Sequence, residues 1–159
     1  MSHEIMIKLK KIGAPKISPD GRYVIYSRIE TSYNLEEQTS DLWIASADGS
    51  SEPRKLTNSK GGEDNYQWSA ASDKIYFVAK RDGDEAAQLY VLPLAGGEAQ
   101  RLTSLSTGVS DVKFSADGSR IIFSSRVFPK AFNDSASKKM ADEKKKIKTK
   151  ARVYQSFPV

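Results

Sequence analysis

Two short units alternate along this chain at near-constant spacing, and that periodicity limits its fold more than any other feature. Asp41-Leu42-Trp43-Ile44-Ala45, followed by Arg54-Lys55-Leu56-Thr57, returns as Gln88-Leu89-Tyr90-Val91-Leu92, followed by Gln100-Arg101-Leu102-Thr103. Leu42 and Leu89 are 47 positions apart, and Leu56 and Leu102 are 46 apart. Between these lies a turn-and-strand unit. Ser18-Pro19-Asp20-Gly21 leads into Tyr23–Arg28, Ser69–Asp73 into Lys74–Val78, and Ser115-Ala116-Asp117-Gly118 into Arg120–Arg126. Trp68 to Phe114 is 46 positions, whereas Ile17 to Trp68 is 51. The extra length of the first repeat falls in the polar stretch Thr31–Ser40.

Turn chemistry explains the first unit. Pro19 presets φ, Asp20 bonds nearby backbone, and Gly21 accepts a positive φ. Ser69–Asp73 lacks the glycine, so its turn is expected to differ in detail. The runs after these turns are rich in Tyr, Val, Ile and Phe, with too few polar positions for a sheet wet on one side. Ala47-Asp48-Gly49 and Ala95-Gly96-Gly97 turn a third strand into a fourth. Four short strands in about 46 residues, repeated, is the pattern of β-propeller blades, whose usual period is ~40–45 residues.

The fold class expected is therefore all-β: a partial β-propeller of about two and a half four-stranded antiparallel blades, with a short N-terminal helix and a Lys-rich insert. Residues 1–13 are expected to form the helical segment, because Ile5, Leu9 and Ile12 fall at i, i+4 and i+7 and Gly13, Ala14 and Pro15 follow. Residues 14–159 are expected to form the incomplete propeller, with blade 1 at 14–60, blade 2 at 61–106 and the start of blade 3 at 107–159. The basic insert at 130–150 reads as a solvated helix or mobile loop between the second and third strands of blade 3. A blade without a neighbour leaves an apolar face bare. Trp43, Trp68, Tyr76 and Phe77 are candidates for faces that need one.

Charge and composition exclude several functions. The net charge of +5 is concentrated in Lys138–Arg152, where eight basic residues oppose two acids. That segment carries +6, so the remainder of the chain is at −1. This disfavours a globally basic nucleic-acid-binding domain. A phosphate-contacting arm would need glycine or aromatic interleaving that the segment lacks, so neither nucleic acid nor membrane is expected as a partner. No cysteine is present, which removes disulfides, thiolate metal sites and cysteine nucleophiles. Met1–Ile12 has no signal-type apolar region. The chain as written reads as cytoplasmic, and as periplasmic or secreted if a signal peptide was removed.

Catalytic constellations are missing. There is no G-x-S-x-G nucleophile elbow, and His3 is the only histidine. No Walker, dinucleotide or EF-hand spacing occurs. The carboxylate pairs Glu36/Glu37 and Asp84/Glu85 read as solvated loop charges rather than acid–base pairs. No residue is assigned a catalytic, cofactor-binding or metal-binding role, and no cofactor is expected.

Pro15-Lys16-Ile17-Ser18-Pro19-Asp20-Gly21-Arg22-Tyr23-Val24, then Asp41-Leu42-Trp43, then Arg54-Lys55-Leu56-Thr57, resembles the start of the propeller in the prolyl oligopeptidase family of serine peptidases. The Lys-rich stretch running into Lys150-Ala151-Arg152-Val153-Tyr154 is similar to an insert in the acylaminoacyl and dipeptidyl peptidase branch. The resemblance implies a propeller that gates peptide access to a C-terminal α/β-hydrolase domain bearing a Ser–Asp–His triad. It implies as partners the rest of a parent peptidase, or another copy, and peptide substrates in the parent. The alternative is a TolB-like propeller that binds a partner protein without catalysis.

Overall fold

The apolar runs that follow each serine-started turn form strands, and those strands build blades. In the computed structural model the described residues are 9–30, 39–59, 61–115, 117–129, 131 and 133–146. They fall in two compact units divided between Arg126 and Val127. The first sheet contains β1 (Lys11–Ile12), β2 (Lys16–Ile17), β3 (Tyr23–Glu30), β4 (Thr39–Ser46) and β5 (Arg54–Lys55). The second contains β6 (Glu63–Trp68), β7 (Lys74–Ala79), β8 (Gln88–Pro93) and β9 (Gln100–Arg101). The third is a hairpin of β10 (Ser110–Phe114) and β11 (Ile121–Ser124). Every pairing is antiparallel between neighbours in sequence, apart from β1, which joins β2 along β3. This is an open, incomplete β-propeller.

The five strands of the first sheet are one four-stranded blade whose innermost strand is interrupted. From Ile12 to Lys16 the inner strand advances four residues while β3 retreats three, from Arg28 to Ile25. In blade 2 the inner strand advances from Asp64 to Gln67 against Val78 to Tyr76. In the third hairpin it advances from Ser110 to Lys113 against Ser124 to Ile122. The same one-residue bulge thus recurs in all three. Asn65 and Asp111 sit at it with φ of 50° in each, a left-handed conformation that Asn and Asp tolerate better than most residues.

The expected N-terminal helix is corrected at its C-terminal end. Lys11 and Ile12 are a strand paired with Ile29 and Arg28, not the end of a helix. Glu4–Lys8 lie outside the described residues. At Lys11 and Ile12 the open edge of β3 offers backbone partners, and the chain takes them. Gly13 then lets the chain cross close to β3, since a Cβ at that position would overlap Ser27 Oγ.

Both faces of the middle sheet are buried, as near-continuous apolar runs require. Ile75, Phe77 and Ala79 of β7 pack with Ile25, Leu42 and Ile44 of blade 1. Val78 and Leu89 pack with Val112 of the third sheet and with Val109, the residue before β10. Tyr76 meets Phe114 with ring centroids 4.3 Å apart. Full burial of a side chain such as Phe77 or Ile75 contributes roughly 1.5–3 kcal/mol. Trp68 packs at the edge of the first of these cores. Trp43 is half-buried beneath the Arg28 guanidinium, 4.2 Å from the ring centroid.

Inner strands are also clasped to one another by polar side chains. The Tyr66 hydroxyl donates to Ala14 O, and Trp68 Nε1 donates to Lys16 O at 2.9 Å. Gln67 Nε2 donates to Val112 O of the third sheet. The Asn65 amide, in the orientation that satisfies its neighbours, accepts the N–H groups of Asp111 and Val112 at 3.1 and 2.9 Å.

The three turns share one design. Ser18 Oγ accepts the Tyr23 N–H and donates to Asp20 Oδ1, and Ser115 does the same with Arg120 and Asp117. The serine hydroxyl first, and then backbone N–H groups, hold the carboxyls of Asp20 and Asp117 down to about 2. In blade 2 the backbone is unchanged. Ser72 takes the glycine position at φ 59°, and Asp73 receives the Ser69 hydroxyl. Ser72 Oγ also accepts the Asp20 N–H of blade 1 at 3.1 Å.

In the second unit, Asp134–Lys146 form a helix, α1. Asn133 Oδ1 caps its start by accepting the Ala136 N–H at 2.8 Å. Lys144, Lys145 and Lys146 occupy the last turn, where cations complement the helix dipole.

Candidate site at the crossover end of the blades

One end of blades 1 and 2 carries the β7–β8 connection and the crossovers from the outer strand of one blade to the inner strand of the next. The Leu-Thr pairs sit there. After β5, Leu56 N–H still reaches Leu42 O, and then Thr57 Oγ1 accepts the Leu42 N–H at 2.9 Å. Blade 2 repeats this with Leu102, Leu89 and Thr103, again at 2.9 Å. The residue before each leucine holds the crossover itself. Asp41 accepts the Ser59 N–H at 3.3 Å and pairs with Lys55 at 2.7 Å. Gln88 Oε1 accepts the Thr103 hydroxyl at 2.8 Å and the Leu105 N–H at 3.1 Å. The Leu-Thr unit is therefore a latch that replaces the backbone bond lost where the outer strand ends.

Each crossover finishes on a left-handed glycine, Gly62 at φ 73° and Gly108 at φ 75°. A Cβ on Gly108 would lie 2.8 Å from Ala87 O, so both conformation and space require glycine there. Gly62 and Gly108 are 46 residues apart. The same spacing separates Asn65 from Asp111, so both pairs were visible as repeat partners but carry no chemistry that marks them in the sequence.

Charged side chains gather at this end. The Asp84 side chain is 1% exposed. It accepts the Tyr90 hydroxyl at 2.6 Å, the Arg81 N–H at 3.0 Å and Arg101 Nη1 at 2.8 Å. Burial alone would raise its carboxyl, but Tyr90, the Arg81 amide and Arg101 together pull it below the ordinary value. Burial, and then the bond to Asp84, push the Tyr90 phenol up to about 12. Asp84 is thus a buried structural acid rather than the solvated loop charge expected from its sequence. Its neighbour Glu85 is exposed. Glu36, Glu37 and His3 lie outside the described residues.

Glu63 is buried at 2% exposure. Its Oε1 accepts the Ser59 hydroxyl at 2.7 Å, while Oε2 is buried without a hydrogen-bond partner. Burial pushes this carboxyl above its ordinary value of 4.5. Close by, a cleft of about 520 Å³ opens between the two blades. Thr39, Asn58, Ser59, Gly61, Lys80, Arg81 and Asp82 line it. Arg81 stands with its guanidinium carbon 5.0 Å from the Tyr90 ring centroid and 5.5 Å from that of Phe77. Among the described residues no three His, Cys, Asp or Glu side chains gather as a metal would need. The cleft places the cations Lys80 and Arg81 beside the side chains of Asn58, Ser59 and Asp82, an arrangement suited to holding a charged or polar group.

Residues 3–156 match the family described as TolB beta propeller domain. The chain belongs to that family. Among similar proteins is the uncharacterized peptidase YuxL of Bacillus subtilis (strain 168), 34% identical over 109 residues. That alignment covers 68% of this chain and 16% of YuxL. Dipeptidyl aminopeptidase BIII of Pseudoxanthomonas mexicana is 33% identical over 90 residues, covering 55% of this chain and 12% of that protein. The acylaminoacyl peptidase of Pyrococcus horikoshii superposes with a TM-score of 0.60 at 13% identity, over 80% of this propeller and 20% of that chain. At that identity the last match establishes shared fold. The chain spans less than a fifth of the length of the curated relatives it matches. Those relatives are peptidases, in keeping with the resemblance in the turn, Leu-Thr and Lys-rich segments.

Proposed function

We propose that this propeller is the N-terminal part of a serine exopeptidase of the dipeptidyl or acylaminoacyl type. In this reading further blades close the ring, and the ring gates peptide access to a C-terminal α/β-hydrolase domain. The triad nucleophile, its histidine and the side-chain pocket then all belong to that domain. The observation that carries the reading is the 34% identity to a peptidase of which this chain spans only 16%. The bare apolar edges of the array agree with it.

Sequencing the gene beyond the codon for Val159 tests the first half. The expected result is an in-frame continuation with more blades, then G-x-S-x-G and a late histidine. The gating role is tested on the whole enzyme with dipeptidyl and N-acyl-aminoacyl chromogenic substrates against long peptides. Opening the ring by substitution between blades should raise cleavage of the long peptides and leave the short ones unchanged. A frame that ends after further blades, with no hydrolase, would instead favour a TolB-like interaction module. The family match over 3–156 is the observation on that side.

A further inference from the structure

We propose that the cleft between the crossover ends of blades 1 and 2 binds a peptide carboxylate through Arg81 and Lys80. The carboxylate chemistry rests on the cleft alone, whereas the choice of a peptide as its bearer rests on the peptidase reading. A cleft of about 520 Å³ lies within the ~300–1,000 Å³ of ordinary ligand sites. It has room for a carboxylate and a residue or two.

Its donors outnumber its acceptors. The Arg81 Nε–H is buried and has no hydrogen-bond partner. The guanidinium carries a full positive charge with no ion pair among the described residues, and an oxyanion in the cleft would meet that charge. The guanidinium is already held in place by the Phe77 and Tyr90 rings, so little side-chain freedom remains to be lost on binding. The adjacent Lys80 side chain makes no ion pair among the described residues. Asn58 uses its amide oxygen on Lys55 Nζ, 3.1 Å away, which leaves its N–H₂ as a donor.

The nearby acids do not satisfy these cations. Asp84 is committed to Tyr90, Arg101 and the Arg81 backbone. Glu63 is buried and makes no ion pair with Arg81; the Arg81 charge acts on its carboxyl, but the larger effect of burial disfavours its charged form. Asp82 is exposed at the cleft wall. It counts against a dianion such as phosphate and in favour of a single carboxylate, by like-charge repulsion.

The test is equilibrium dialysis of the 159-residue chain, at a concentration where it is monomeric, against three radiolabelled probes. These are N-acetyl-Ala-Ala with a free C-terminus, N-acetyl-Ala-Ala amide, and N-acetyl-Asp-Ala amide. Saturable binding of the first, with none of the neutral amide, is expected. Binding of the third as well would assign the site to carboxylates in general, and its failure to bind would assign it to C-termini. Lys80→Gln and Arg81→Gln should each weaken binding at least tenfold, and Arg81→Lys should restore part of it. Lys80 is exposed, so its substitution keeps the test valid if Arg81→Gln fails to fold. Equal binding of the acid and the neutral amide, no saturable binding, or unchanged affinity in Lys80→Gln would overturn the proposal. None of these results bears on whether a hydrolase follows in the gene.

Discussion

Two carboxylates at the crossover end differ in what surrounds them, and their pH behaviour should differ accordingly. Asp84 has three donors around it, and Glu63 has one oxygen unmet. Because burial raises the Glu63 value in the folded state, the unfolded chain gives up its proton first as pH rises. Stability from this group is therefore fully present below about 4.5. It is lost as pH climbs from there through the folded-state value. Glu63→Gln, which keeps the shape and removes the charge, should melt at the same temperature as wild type near pH 4 and higher at pH 7–8. Equal melting temperatures across that range would refute the assignment. Nothing in the sequence separated Asp84 from Glu85, or singled out Glu63. A charged residue in a Gly-containing loop reads as solvated, and only the folded chain brings Tyr90, Arg101 and the Arg81 amide to one of two adjacent acids.

At the level of the element, the blade was legible and its fastenings were not. Hydrophobic runs, turn residues and the 46-residue spacing identify strands two, three and four. The innermost strand was harder to read, because a bulge breaks its alternation and, in blade 1, splits it into two-residue pieces. That is why Lys11–Ile12 resembled a helix end. Ser69–Asp73 was expected to differ in detail, and it does: its serine hydroxyl donates to Asp73, four residues on, while Ser72 adopts the glycine conformation and gains the bond from Asp20. The Leu-Thr unit was visible as a repeat, but its role depends on a partner 14 residues upstream. Thr103→Val removes that hydroxyl at nearly constant volume and leaves the buried Leu89 N–H without an acceptor. It should cost about 1–3 kcal/mol, measured by urea denaturation of dilute protein. A change below a few tenths of a kcal/mol would mean that water takes over the latch.

For the propeller array, the defining property is that each of its end sheets exposes large apolar side chains. Ile122 on β11 is 74% exposed, and Ile17 on the inner strand of blade 1 is 63% exposed. Among the described residues β11 pairs on one edge alone, with β10, and an edge left open is a surface prone to strand addition. Sedimentation velocity on the 159-residue chain should show the 17.6 kDa species giving way to larger ones as concentration rises. Charged substitutions at Ile122 should shift that balance back towards monomer. A monodisperse monomer of high thermal stability at every concentration would contradict this.

The clasps between inner strands have a consequence for how such chains diverge. Tyr66, Trp68 and Gln67 all grip main-chain oxygens, on Ala14, Lys16 and Val112. A carbonyl is supplied by every amino acid, so the gripped strand is released from any obligation to keep its own side chains. Successive modules can then drift independently in evolution while the seam between them persists.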